Sequence, residues 1–562
     1  MMILLLPTTF LVLLLLALCF SANRLLYISY RTETATLEDS NNPCLIRASS
    51  YDQLQPFVPS ESALLAPSTK QIVRKSSPYS SPAGRETTTA IISAGSEDAA
   101  GSSKAKAGEC EGKFIYIYPL PAEFNEELVE RCKVGYKRYC DKWFCIPCNR
   151  LDNYGFGPRV LQGAAADEGV RLLPPEAWFR SDQFSLEVIF YEKMKRQYGC
   201  VTGDAEEASA FYIPYFGGLD MAFTLFSGHI HLMDELQQRL LGWLSGNAVW
   251  QRKGGEVPHF MVLGHVAWDF DRRPLPADNM DDDAGTSSYT WGSSLLQQPL
   301  LRNVSWLLIE RKGNEHDMGL PFPTLFHPSS PTDIFLWQEQ IRKAKRPWLV
   351  TFVGGSRRRF DKEATRNVRQ VLMRQCQEVE QTTITFGERN LQKCKALECI
   401  GTEEMRQKRS SRKDDLGKMG NEIACDDEPE EVVRALAKSV FCMQPKGDSA
   451  TRKGFFDTIV AGCIPVLFAN DTAYSQYIWH LPQDPSLYSI FIPEADITAG
   501  QVNVMDALSR IPHSQIKSMQ RTIRHLIPHI IYSPPGSRHL SQDAFSIALE
   551  SFLMHHNPAF AS

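Results

Sequence analysis

The sequence predicts an α/β protein made of two Rossmann-like halves, and three observations lead there. From Phe441 to Phe468 the chain reads FCMQPKGDSATRKGFFDTIVAGCIPVLF. Two apolar runs, Ser439 to Met443 and Ile464 to Phe468, flank a turn rich in Pro, Gly, Asp and Ser and a short helix opening near Thr451. Strand, polar turn, helix start and strand are the local unit of a parallel sheet. Elsewhere in the body, apolar strand-like runs alternate with amphipathic stretches. A second turn, Gly354-Gly355-Ser356, also follows a strand-like run and precedes a helical one.

Size and composition agree. The chain has 562 residues, enough for more than one domain. A hydrophobic fraction of 43% and a charged fraction of 22% belong to globular protein. A net charge of −5 argues against a nucleic-acid partner.

Residues 1–23 hold a nearly unbroken apolar run from Ile3 to Phe20, interrupted by Pro7, Thr8 and Thr9 and free of charge before Arg24. A bilayer is spanned by about 20 apolar residues, so an uncleaved single-pass signal-anchor is expected. The alternative is a cleaved signal peptide, with Ala17, Ser21 and Ala22 as small residues near its end. Arg24 and Arg31 follow the segment, which disfavours a cytoplasmic N-terminus, although large domains translocate largely regardless of such charges. Both readings send the rest of the chain into the secretory lumen. The sequons at Asn303 and Asn470 and the 14 cysteines suit that compartment. Cysteines cluster at 132, 140, 145 and 148 and again at 376, 394, 399 and 425; disulfides are expected, with a redox or zinc role for Cys145-Ile146-Pro147-Cys148 as the alternative. Residues 24–110, dominated by Ser, Thr, Ala, Pro and Gly without periodicity, read as a disordered stalk. The charged stretch 403–431 reads as a solvated insertion.

In the body, strands are expected at Phe114 to Tyr118, Ala210 to Pro214, Phe260 to Leu263, Trp306 to Glu310, Trp348 to Val353 and Ser489 to Ile492. Phe184, Ile189, Phe190 and Met194 mark one amphipathic helix, Val368, Leu372 and Cys376 a second, and Ile516, Met519, Ile523 and Leu526 a third closed by Pro528. The halves are expected at 111–330 and 331–562, dividing near 325–340.

The chemistry concentrates in the turn after Met443. Free backbone N–H groups and the positive end of a helix dipole lie beside Gly447, Asp448, Ser449, Thr451, Arg452 and Lys453, which suits a pyrophosphate. Asp457, one turn into the helix, is placed for ribose hydroxyls. The plainer reading is an ordinary βαβ unit with a polar loop. Gly354 and Gly355, with the run Arg357-Arg358-Arg359 beside them, occupy the corresponding turn, where nucleotides bind beyond strand C-termini. Gln183 and Glu187, one turn apart on a helix, either line the cleft or form a satisfied pair. Asp281-Asp282-Asp283 offers a rival site for a hard divalent cation bridging a diphosphate, or an acidic cluster in solvent.

From Lys113 to about His555 the chain resembles a plant exostosin-like glycosyltransferase, in the branch containing xyloglucan galactosyltransferases. The resemblance rests on YPLPAEFN at 118–125, SDQFSLEVIFYEKMKRQYGC at 181–200, FYIPYFGGLD at 211–220, GHVAWDFDRR at 264–273, RPWLVTFVGG at 346–355, QYIWHLP at 476–482 and GDSATRKGFFDTIVAGCIPV at 447–466. It implies a GT-B fold, inverting transfer from a UDP-sugar, galactose first, to a cell-wall polysaccharide, and a type II Golgi membrane protein. It also implies no metal cofactor, with other Golgi glycosyltransferases as partners in complexes. The chain departs from the family pattern at four places: His265 stands for Arg, Pro258 for Asp, Lys453 for a second Arg and Gly454 for Ser. Donor and acceptor identity are the properties these changes touch, with galacturonic acid as the other donor. A degenerate, non-catalytic carbohydrate-binding relative is the reading they motivate. Inverting transfer needs a base at the acceptor hydroxyl; Asp220, His265 and Asp269 are the candidates from the first half and Glu494 from the second.

Overall fold

The computed structural model describes residues 110–131, 148–161, 170–224, 230–255, 257–272, 291–313, 316–355, 368–386, 389–399, 422–423, 425, 428–447, 449–537 and 542–557. The expected anchor, the expected stalk up to 109, the first cysteine cluster up to 145, the acidic run 281–283, the basic run 357–359 and Asp448 lie outside them. Among the described residues no helix is long and apolar enough to cross a membrane.

Two separate sheets form. The first contains β1 (Ile115–Ile117), β2 (Val201–Thr202), β3 (Ala210–Tyr212), β4 (His259–Val266), β5 (Val304–Glu310) and β6 (Asp317–Gly319). Their spatial order is β2-β1-β3-β4-β5-β6, with every neighbouring pair parallel. Every residue of β4 and β5 is buried, as a parallel strand covered on both faces requires. The second sheet contains β7 (Trp348–Gly354), β8 (Thr383–Phe386), β9 (Arg389–Cys399), β10 (Glu422–Ile423), β11 (Ser439–Gln444), β12 (Ile464–Leu467) and β13 (Ile490–Phe491). It runs β10-β9-β7-β11-β12-β13, all parallel, with β8 antiparallel beside β9. A doubly wound parallel sheet of this kind opens its ligand crevice beyond the strand C-termini.

The helices need modest correction. The first predicted helix begins at Leu186, not Phe184, and runs to Arg196 with Lys193, Lys195 and Arg196 in its last turn, where cations complement the dipole. The helix expected near Thr451 starts at Lys453 and ends at Val460, with Arg452 at its cap in extended backbone. The linking helix Pro331–Lys343 is set by a Ser330–Asp333 capping box with Pro331 in its first turn.

Part of the charged stretch is not solvated. Glu422–Ile423 pairs with Glu398 and Cys399, and Cys399–Cys425 pins that edge. Glu430 is buried and takes Arg180 at 2.5 Å. The pairs Cys110–Cys200, Cys376–Cys394 and Cys442–Cys463 are also bonded. Asn303 and Asn470 are exposed.

The last helix, Ala544–His556, crosses back to the first sheet: Phe545 meets Phe190 at 4.8 Å and Phe552 meets Phe260 at 4.7 Å between ring centroids. Trp337 on the linking helix packs edge-on to Trp178 of the first half and donates to the Val460 carbonyl of the second at 2.7 Å.

Candidate active site

In the second half, β11 and β12 pair in register from Phe441 and Ile464, which sets the loop after β11 and the helix Lys453–Val460 at the strand C-termini. Arg369, buried on the helix Val368–Glu378, binds that loop to its neighbour. Its guanidinium donates to the carbonyls of Gly355 at 3.0 Å, Lys446 at 2.9 Å and Pro445 at 3.4 Å. The two glycine-bearing turns therefore lie side by side. Gly447 carries the Arg452 guanidinium directly over its Cα; a Cβ there would overlap it. The Gly447 N–H donates to the Ser449 carbonyl at 3.0 Å.

Three expected ligand groups are otherwise engaged. Thr451 donates its N–H and hydroxyl to Glu310 Oε2, at 2.7 and 2.5 Å, across from the end of β5. Lys453 Nζ donates to both oxygens of Asp457 at 2.8 and 2.7 Å, as i,i+4 geometry allows. Burial raises the Asp457 carboxyl and the Lys453 charge opposes the rise. Lys453 and Asp457 thus answer each other. Glu494, half-buried, pairs with Lys446, the residue before Gly447, at 3.2 Å.

In the first half, β4 delivers His265 and the turn after it delivers Asp269. His265 Nδ1 lies 3.1 Å from Asp269 Oδ2, and Trp291 Nε1 donates to Asp269 Oδ1 at 2.8 Å. Phe184 stacks on the imidazole at 3.9 Å with planes 13° apart. His265 is 2% exposed, and its Nε2, itself buried, has no hydrogen-bond partner among the described residues. Contact of Nδ1 with a carboxylate fixes the orientation of the ring and leaves Nε2 as its other polar atom.

Glu187 stands behind the dyad. It accepts the N–H groups of Gly218 at 2.6 Å, Leu219 at 3.2 Å and Gly264 at 3.0 Å. Burial pushes its carboxyl up to about 7 against those donors. The expectation that Gln183 and Glu187 share one helix face fails: Gln183 sits in the exposed turn before Leu186, while Glu187 points inward. Asp220 is engaged by the Tyr215 hydroxyl at 2.6 Å, and burial pushes it up to about 7 as well.

The structure thus brings His265, Asp269 and Glu187 together, while it engages Asp220 with Tyr215 and Glu494 with Lys446 and leaves Gln183 exposed. It adds residues that sequence reasoning passed over. Asp182, raised by burial, accepts the Phe184 N–H at 2.9 Å and lies within electrostatic range of both His265 and Lys453. Glu310 had a legible signal, a lone carboxylate closing the apolar strand VSWLLIE at its C-terminal end.

The exostosin GT47 domain model matches residues 109–508. A probable xyloglucan galactosyltransferase of Arabidopsis thaliana is 34% identical over 445 residues, 79% of this chain and 76% of its own length. A xyloglucan galactosyltransferase of the same plant is 34% identical across 80% of this chain and 63% of its own. A xyloglucan-specific galacturonosyltransferase, again from Arabidopsis thaliana, is 31% identical across 80% of this chain and 58% of its own. Among solved structures, an alpha-glucosyltransferase in complex with UDP aligns over 61% of this chain and 79% of its own, at 12% identity and a TM-score of 0.28, a likeness too slight to bear on function. With the domain spanning both sheets and relatives matched across four-fifths of its length, the chain belongs to the exostosin GT47 family of glycosyltransferase enzymes, in its xyloglucan galactosyltransferase branch.

Proposed function

We propose that the protein is an inverting glycosyltransferase that moves galactose from UDP-galactose to a hydroxyl of a xyloglucan side chain, in the Golgi lumen and without a metal cofactor. The observation that supports this reading is the buried pair at the end of β4, where Asp269 holds His265 Nδ1 and Nε2 has no partner among the described residues. Acceptor binding has to open the buried Nε2 of His265; that nitrogen then takes the hydroxyl proton, and Asp269 stabilises the imidazolium that forms. The acceptor oxygen attacks the anomeric carbon from the face opposite the diphosphate, and the bond from that carbon to the diphosphate oxygen breaks. UDP leaves with the negative charge. The turn at Gly447, the Arg452 guanidinium and the N-terminus of the helix Lys453–Val460 meet that charge. Lys453, bound to Asp457, contributes by holding the first helical turn.

The names of the relatives support xyloglucan as acceptor and galactose as donor. One of them acts with galacturonic acid, which keeps UDP-galacturonic acid as the second donor to test. The test is a donor screen on the lumenal body with xyloglucan oligosaccharides, reading products by mass spectrometry. UDP-galactose should give the mass gain of one hexose, with turnover that survives EDTA. His265→Ala and Asp269→Asn should each lower turnover by roughly a hundredfold or more, the scale of a lost general base. Full turnover in His265→Ala would remove the dyad from the mechanism. Activity abolished by EDTA and restored by Mn²⁺ would move the diphosphate to a metal.

A further inference from the structure

We propose that Trp268 and Trp291 form a carbohydrate platform that takes one pyranose ring of the acceptor glycan beside the His265–Asp269 dyad; this rests on the transferase reading above. Among the described residues Trp268 is the one exposed tryptophan, at 40%, whereas Trp178, Trp250, Trp306 and Trp337 are buried. Its ring stacks on Trp291, with centroids 5.5 Å apart and planes 29° apart. An indole left open to water forgoes the burial that stabilises its neighbours in the core, and such large amphipathic rings concentrate at recognition surfaces.

The pair is held rigidly. The Ser293 N–H donates to the Asp269 carbonyl at 2.8 Å, and the Arg272 N–H donates to the Ser293 carbonyl at 3.0 Å. Gly292, at φ +70°, turns the chain so closely over Asp269 that a Cβ would overlap its carbonyl oxygen. Trp291 Nε1 donates to Asp269 Oδ1, the carboxylate whose other oxygen faces His265. One carboxylate therefore orients both the base and the platform. Trp268 is the residue immediately before it.

The chemistry of this surface selects a sugar. One face of a pyranose presents polarised C–H groups to the negative face of an indole, while its hydroxyls stay at the rim. A ring stacked on Trp268 lies against the pair whose other member, Trp291, is bonded to Asp269, the carboxylate that holds His265. A uracil ring also stacks on tryptophan, but the nucleotide belongs to the second half in this mechanism, so the two occupants separate experimentally.

Calorimetric titration of the wild-type lumenal body with a xyloglucan oligosaccharide, and separately with UDP, tests the assignment without turnover. Trp268→Ala should weaken oligosaccharide binding by about tenfold or more. UDP binding should keep its wild-type affinity, and Trp268→Phe should restore most of the oligosaccharide affinity. In turnover, the acceptor KM should rise in Trp268→Ala while the donor KM stays. Unchanged oligosaccharide affinity in Trp268→Ala, or a loss confined to UDP, overturns the platform alone. A wild type that binds no xyloglucan oligosaccharide overturns the acceptor reading on which the platform depends.

Discussion

Asp220 shows how far burial moves a single group in this fold. Its carboxyl rises from 3.8 to about 7, led by loss of solvation, even though the Tyr215 hydroxyl bonds to it. The folded protein therefore keeps a proton that the unfolded chain has released between pH 3.8 and about 7. Stability from this group is fully present below that window and falls as pH rises through it. Asp220→Asn keeps an acceptor for Tyr215 and does not titrate. Its melting temperature relative to wild type should climb with pH across the window, by up to ~1.4 kcal/mol of stability per pKa unit shifted. Parallel pH profiles for the two proteins would show that Asp220 is ionised in the fold. At His265 one nitrogen is held by Asp269 and the other has no partner among the described residues.

At the scale of elements, the strand–turn–helix–strand unit around Gly447 is stapled at its base. Cys442 and Cys463, both fully buried, join β11 to the start of β12 across 21 residues of sequence. In the chain-entropy account, closing a loop of that length stabilises the fold by about 3 kcal/mol. The double variant Cys442→Ala with Cys463→Ala should lower the denaturant midpoint accordingly. It should still bind UDP, because backbone pairing from Phe441↔Ile464 to Gln444↔Leu467 holds the register. A midpoint equal to wild type would show that the pairing alone sets the stability of this unit. The unit itself was legible, since an apolar run ended by Pro and Gly and followed by a helical pattern is a local signal. The pairing of Lys453 with Asp457 was open to anticipation from i,i+4 spacing. The engagement of Thr451 by Glu310 was not, because 141 residues separate them.

Across the whole molecule, the return of the last helix joins the halves through a buried ion pair. Lys193 is fully buried and donates to Asp543 at 2.7 Å, to the Ser533 carbonyl and hydroxyl at 2.8 Å each, and to Gln197 at 2.8 Å. Removing one partner leaves the other charge uncompensated in the interior, at a cost of roughly 3–5 kcal/mol. Lys193→Met should therefore destabilise strongly. The double variant Lys193→Met with Asp543→Leu should recover part of that loss, since paired removal strands no charge. If the double variant is no more stable than Lys193→Met, the pairing with Asp543 is not what Lys193 supplies, and its ammonium over the Phe545 ring, 5.1 Å from the centroid, takes that role.

By itself the sequence determined the class of fold, most of the strands, the two parallel sheets and the family. These follow from apolar periodicity, turn residues and motif order, all of which act over a few residues. It also named His265 and Asp269, four residues apart at the end of one strand. The tertiary structure decided which named groups meet. It turned Glu187 inward to three backbone amides, gave Lys453 to Asp457, moved Glu430 from an expected solvated stretch to Arg180, and carried the final helix back to the first sheet. Each of these outcomes depends on burial, and burial is set by residues far away in the chain. Trp291 reaches Asp269 only because the backbone at Gly292 folds onto it, a contact that no local pattern encodes.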